Sequence, residues 1–388
     1  MLGIGLGIHS GKRSLLTRLS AIFRGNNYDG FVYFPRDISS VKQDSAGTTA
    51  GAINSPLGMI LDKHLGLGLG AEQVSALTNF TAGGTNGASV VISAASVTLK
   101  GNSHAYVALP ASAGGWEVMA TLQSATDATM IELRVGTGVA PSNQYSAYTY
   151  TAAGSKTIRA VVPVGSTSQV WLKASYTSGD TAKTAVFTSV SIRSLAGNHS
   201  IQATAPARPG LKQDVNGKVY AELLGTDDNL TSATGGGGSA GGFWCIAMKP
   251  TGGAGTLRTI WADNGTNTGY KVQHDASNKL SLSAGNNTAF TTKASTVTVN
   301  VGTPYVLTAK DNGTNLSVQI NNATAETVAR PVVVAGTAGF TIGKDNGAAS
   351  SFDIADIYAM VYVKNACPSA ASEAIIKAAV AAEIGMTL

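Results

Sequence analysis

Glutamates, histidines and cysteines are scarce in this chain, and their spacing limits the chemistry open to it. Glycoside hydrolysis needs two carboxyl groups facing each other across a cleft. None of Glu72, Glu117, Glu132, Glu222, Glu326, Glu373 and Glu383 has an acidic neighbour two positions on. Asp353 and Asp356 are three apart, which sends them to opposite faces of a strand. His9, His64, His104, His199 and His274 have no i, i+4 or Cys-x-x-Cys companion, so no transition-metal site is read from them. Gly237-Gly238-Ser239-Ala240-Gly241 matches a hydrolase nucleophile elbow in form, and Gly236, Gly238 and Gly241 match a dinucleotide fingerprint. Both lie in a glycine tract without a strand-to-helix context, where such matches arise by chance. The tract reads as a flexible, exposed loop, and no catalytic residue is assigned.

Binding residues are easier to nominate. Sugar rings stack on exposed aromatic faces. The candidates are Tyr145, Tyr148, Tyr150, Trp171 and Tyr176, then Trp261 and Tyr270. Tyr148 and Tyr150 share a strand face and have small or polar neighbours, which suits an exposed platform. For each of these residues, core packing is the competing explanation; Trp116 and Trp244 lie in apolar strands and are assigned to cores. The Asp-Asn-Gly strings that begin at Asp263, Asp311 and Asp345 offer oxygen-rich loops. These could hold calcium, the one cofactor considered, but Asn-Gly is also a favoured hairpin turn.

These residues must be positioned by strands. Only 13% of the chain is charged, 46 residues are Gly and 44% are hydrophobic, a balance that suits stacked sheets joined by tight turns rather than disorder. A chain of 388 residues has room for two or three domains. The net charge of +5 is concentrated in the first 24 residues, through Lys12, Arg13, Arg18 and Arg24, which argues against a nucleic-acid-binding face. No apolar run reaches membrane-spanning length. The opening apolar stretch precedes the basic residues, the reverse of a secretory signal, so synthesis and assembly in the cytoplasm are expected. Cys245 and Cys367 read as reduced, half-buried thiols, with pairing left open.

Along the chain, residues 1–8 form an apolar arm. Residues 12–24 form an amphipathic helix whose Leu15, Leu16, Leu19, Ile22 and Phe23 would anchor the chain or hold an oligomer together, unless they pack on their own domain. Eight strand-like segments fall between Ser89 and Ser194: Ser89–Leu99, Ala105–Leu109, Gly115–Leu122, Thr129–Gly136, Gln144–Thr151, Ser155–Val162, Gln169–Ser175 and Thr184–Ser194. From Gly242, short alternating strands lead to a strand at Asp353–Val363. Its Ala355, Ile357, Ala359, Val361 and Val363 share one face, with Asp356, Tyr358, Met360 and Tyr362 on the other. A helix at Pro368–Ile384 then stops at Gly385.

That ending resembles the concanavalin A-like, laminin G-like sandwich. Tyr28–Leu69, with its QDSAGTT and LDK strings, and GNHSIQAT from Gly197 resemble two halves of a phrase found ahead of such domains in bacteriophage virion proteins. The split implies an inserted domain over residues 71–196, within a connecting segment made of 27–70 and 197–241. The insert resembles carbohydrate-binding jelly rolls through its strand order. The expectation is therefore all-β: an N-terminal arm and helix over residues 1–26, an inserted jelly roll, and a sandwich over 242–388 with one C-terminal helix. The resemblance implies a non-enzymatic virion protein of the capsid-decoration, head-fibre or tail-tip kind, located on the virion surface. Its partners would be other virion proteins, its own copies in an oligomer taken as a trimer, and host surface polysaccharide. The alternative is a depolymerase or receptor-binding tail protein of the same fold.

Overall fold

The computed structural model describes residues 15–388 apart from 46–48, 65–68, 75, 85–88, 111–114, 138–142, 163–167, 178, 226, 253–254, 338 and 346–352. The fold is all-β, with two β-sandwiches and, among the described residues, two α-helices, α1 (Leu15–Asn26) and α2 (Ala370–Glu383). The proposed arm at residues 1–8 lies outside the described residues.

In the larger sandwich, strand Ile354–Lys364 is central to one nine-stranded sheet. One edge pairs with Gly242–Pro250; the other pairs with Val219–Leu224 along its first half and Asp29–Tyr33 along its second. The facing sheet runs from Val41–Lys42 to Phe290–Thr298 and contains Arg258–Ala262 and Tyr270–His274. Between the sheets lies a core that includes Phe31, Trp244, Trp261, Tyr270 and Tyr362.

Strand Ile354–Lys364 does not keep one face throughout. A register shift opposite Ala247/Met248 inserts a bulge at Tyr358. Ala355 and Ile357 point into the inter-sheet core, whereas Ala359, Val361 and Val363 point out to the helices. Strict alternation along the sequence misses this exchange, because the extra residue resets the parity. Asp356, 2% exposed, is buried and ion-paired to Lys249 at 2.6 Å.

Both helices pack on the outer face of that sheet. Leu19 and Phe23 are buried with Val32, Phe34, Cys245, Val361, Ile376 and Val380, and Ile22 packs at the edge of the cluster. These three residues are consumed by their own fold and cannot anchor it to another body; the apolar stripe closes a third layer. α2 is capped by Ser369, whose hydroxyl accepts from the Ser372 N–H at 3.3 Å, and ends at Gly385 with φ +73°. Both cysteines are free: burial pushes Cys245 up to about 12 and Cys367 up to about 11.

Strands from Leu69–Glu72 to Thr184–Leu195 form the second sandwich, a six-stranded sheet facing a five-stranded one. The chain enters and leaves this unit at one point. Met59–Ile60 pairs with Ser200–Ile201. Asp62 Oδ1 accepts from the Val32 and His64 N–H groups at 2.8 and 2.9 Å. Asp62 Oδ2 accepts from the Asn198 N–H at 2.7 Å and meets His64 Nδ1 at 2.5 Å. The Asp62 N–H in turn donates to His199 Nδ1 at 2.9 Å. The LDK and GNH strings, far apart in sequence, are thus one hydrogen-bonded node.

The glycine tract is not an exposed loop. Gly235, Gly236 and Gly238 are buried. A Cβ on Gly236 would lie 2.1 Å from the Gly339 carbonyl oxygen, and one on Gly235 would lie 2.7 Å from Asn198 Cγ. The residues lack side chains because the backbone is wedged against its neighbours.

Candidate functional site on the five-stranded sheet

The strand order of this sheet is Asn143–Thr149, Ile131–Thr137, Ser168–Ser175, Asn102–Leu109 and Thr81–Gly84. Side chains alternate between its faces. Val170, Leu172, Leu133, Val135 and Ala105 point into the core. The opposite parity points outward, and register places its members side by side. Trp171 lies across from Arg134 on one neighbouring strand and from Tyr106 on the other. One step along the strands, Lys173 lies across from Glu132 and His104; one step the other way, Gln169 lies across from Gly136 and Ala108. Directly opposed side chains in adjacent strands approach to about 5 Å, so these residues form one continuous patch.

Trp171 is the centre of the patch. It is 1% exposed yet absent from the core cluster that its neighbours Val170 and Leu172 join, and the residues around it are half-buried. Glu132 holds the Arg134 guanidinium through both carboxylate oxygens at 2.5 Å, with Lys173 Nζ at 3.9 Å. Gly83 leaves room for the imidazole of His104; a Cβ there would sit 2.4 Å from His104 Nε2.

Four polar atoms of the patch are buried without a hydrogen-bond partner: Arg134 Nε, Trp171 Nε1, Gln169 Oε1 and His104 Nε2. Each such atom costs roughly 1–3 kcal/mol unless a partner arrives. Unpartnered polar atoms also occur at Trp116 in the smaller core and at Trp244, Trp261 and Tyr362, which pack together in the larger one. The four here lie instead on the outward parity of a sheet, among half-buried residues. Burial and the charge of Lys173 hold His104 below its ordinary value, and burial and Arg134 do the same to Lys173 against the pull of Glu132.

Trp171, almost fully covered, forms the floor of the patch, and the residues around it offer a phenol, a clamped guanidinium, an ammonium and an amide. These groups stack on and hydrogen-bond to a polyhydroxylated ligand. Among the described residues its one carboxylate, Glu132, is engaged by Arg134, so it presents no facing pair of acids.

The other nominated residues go elsewhere. Tyr150 is fully buried, edge-on to Phe187, with its hydroxyl donating to the Ala120 carbonyl at 3.3 Å. The exposed Tyr148–Tyr150 platform is therefore not formed: both rings turn to the core side, and Tyr148 keeps one flank beneath Lys156 Nζ at 5.0 Å. Tyr145 is half-buried against the same core. Tyr176 is 2% exposed, and its hydroxyl is taken by the Asp127 and Thr184 carbonyls. Trp261 and Tyr270 are 0% exposed in the larger core and cannot stack on a sugar.

Two of the calcium candidates are already paired with cations. Asp311 binds Arg330 Nε at 2.8 and 2.6 Å and accepts from the Tyr270 hydroxyl, while Asp345 meets Lys271 at 2.7 Å. Asp263 instead accepts from the Tyr270 and Gly237 N–H groups, and burial pushes its carboxyl up to about 7, toward the neutral form that a cation site disfavours. Around Asp311 the chain makes a plain hairpin turn, with Gly313 at φ +87°.

Tyr106, Arg134, Gln169, Lys173 and His104 escaped nomination. The signal was present in the alternating parity of three strands, but only pairing register shows that the outward residues adjoin.

No family model matches the chain, and no curated protein matches it by sequence. Among solved structures, it is similar to botulinum neurotoxin type C, which depends on interaction with two ganglioside molecules to enter cells (12% identity, 44% of each chain, TM-score 0.35). It is also similar to the receptor binding domain of botulinum neurotoxin D (10% identity, 45% of this chain and 48% of that one, TM-score 0.33). A third is the binding domain of botulinum neurotoxin DC in complex with rat synaptotagmin II (11% identity, 43% of each chain, TM-score 0.33). The chain spans a little under half the length of these structures.

Proposed function

We propose that this chain is a non-enzymatic structural protein of a bacteriophage particle, of the capsid-decoration or tail-tip kind, that adheres to host-surface glycan through the outer face of its five-stranded sheet. One observation carries the binding reading: Tyr106, Arg134, Gln169, Lys173 and His104 surround Trp171 on a single sheet face, with Arg134 Nε, Gln169 Oε1 and His104 Nε2 unpartnered. Support for the virion role comes from the likeness of Tyr28–Leu69 and 197–388 to phage accessory proteins. On this reading the protein assembles in the host cytoplasm and ends on the particle surface.

The test incubates the full chain with purified bacterial surface polysaccharide. Retention without release of oligosaccharide, lost in Tyr106→Ala, is the expected result. Release of oligosaccharide would overturn the non-enzymatic reading, and undiminished retention by Tyr106→Ala would move the site elsewhere. Labelled antibody on intact particles reports the location.

A further inference from the structure

Resting on that glycan-binding reading, we infer that the ligand is an anionic polysaccharide, one that carries carboxylate or phosphodiester charge along its backbone. The outward patch holds two cationic side chains, Arg134 and Lys173, against one acid, Glu132. Glu132 is occupied on both oxygens by Arg134, so Lys173 at 3.9 Å is left with a long, partial contact. The Lys173 ammonium, partly exposed, is thus the donor with most to gain from a negative partner, and the buried Arg134 Nε nearby is also without one. Both sit beside Trp171, and Gln169 and Tyr106 complete a surface for the sugar's hydroxyls.

The electrostatics of the patch agree. Lys173 and His104 are each disfavoured in their charged forms by burial and by a neighbouring cation. An incoming anion reverses that penalty, whereas a neutral sugar leaves it in place. Small residues surround these side chains: Ala147 lies beside Arg134, Ala108 and Gly136 beside Gln169, and Gly83 beside His104. A chain laid across the strands would cross Arg134, Trp171 and Tyr106 in turn.

The experiment compares binding of the full chain to a polyuronate, a phosphodiester-linked glycan polymer and a neutral glucan, each at low and high salt. An anionic polymer should bind about tenfold more tightly than the glucan at low salt and lose most of that advantage at high salt. Lys173→Gln, whose folding is checked by its melting curve, should erase the preference and its salt dependence by weakening the anionic polymer far more than the glucan. Either anionic polymer meeting these terms supports the proposal, and the pair identifies which charge is read. Equal binding of the neutral glucan, sensitive to Tyr106→Ala, would overturn the anionic specificity and leave glycan binding standing. Binding of none of the three would overturn both.

Discussion

Asp62 organises the junction between the sandwiches, and its neighbours respond to pH in opposite directions. Burial alone would raise the Asp62 carboxyl, but His64 against it and the Asn198 N–H hold it below its ordinary value. Burial alone would lower His64, and Asp62 outweighs that and raises it. At His199 burial outweighs the pull of Asp62 and pushes the imidazole down to about 4 from 6.5. Between those two values the unfolded chain binds a proton that the folded chain refuses. Stability therefore falls as pH drops across this window, by about 3 kcal/mol. Asp62 adds its own loss only once pH falls through its depressed folded value, and the His64 contribution fades as pH rises above its ordinary range. Melting temperature measured from pH 7 to pH 4 should slope downward. His199→Gln, which keeps an acceptor for the Asp62 N–H but does not titrate, should flatten that slope. An unchanged slope would show that the acid response arises elsewhere.

The elements divide by how local their causes are. Four strands of the five-stranded sheet and the closing strand and helix were legible because alternation and a terminal Gly act within a few residues; Thr81–Gly84, short and with two glycines, was not. Three further things were not. The bulge at Tyr358 changes which side chains face the helices, and only pairing with Gly242–Pro250 reveals it. The glycine tract looks like a linker in sequence, while its reason lies in Gly339 and Asn198, distant along the chain. The stripe on α1 shows that something must cover it but not what; the cover is α2 and strand Asp29–Tyr33 of the same molecule. Phe23→Ala should accordingly destabilise the folded chain by roughly 3–5 kcal/mol, read from urea unfolding. A surface anchor would leave the unfolding midpoint in place.

At the scale of the molecule, the larger sandwich draws strands from both sides of residues 69–195, whereas the strands within that span pair only among themselves in the described residues. An excised 71–196 chain should therefore fold alone, with a cooperative melt and native-like strand content. A chain lacking that span, with a short Gly-Ser bridge from Lys63 to Asn198, should retain the larger sandwich. Failure of the excised piece to fold would show that it depends on its host. The clasp of Met59–Ile60 with Ser200–Ile201 has a broader consequence. A scaffold that closes its own circuit beneath an appendage works as a socket: one recognition head can be exchanged for another while the base keeps the same seat.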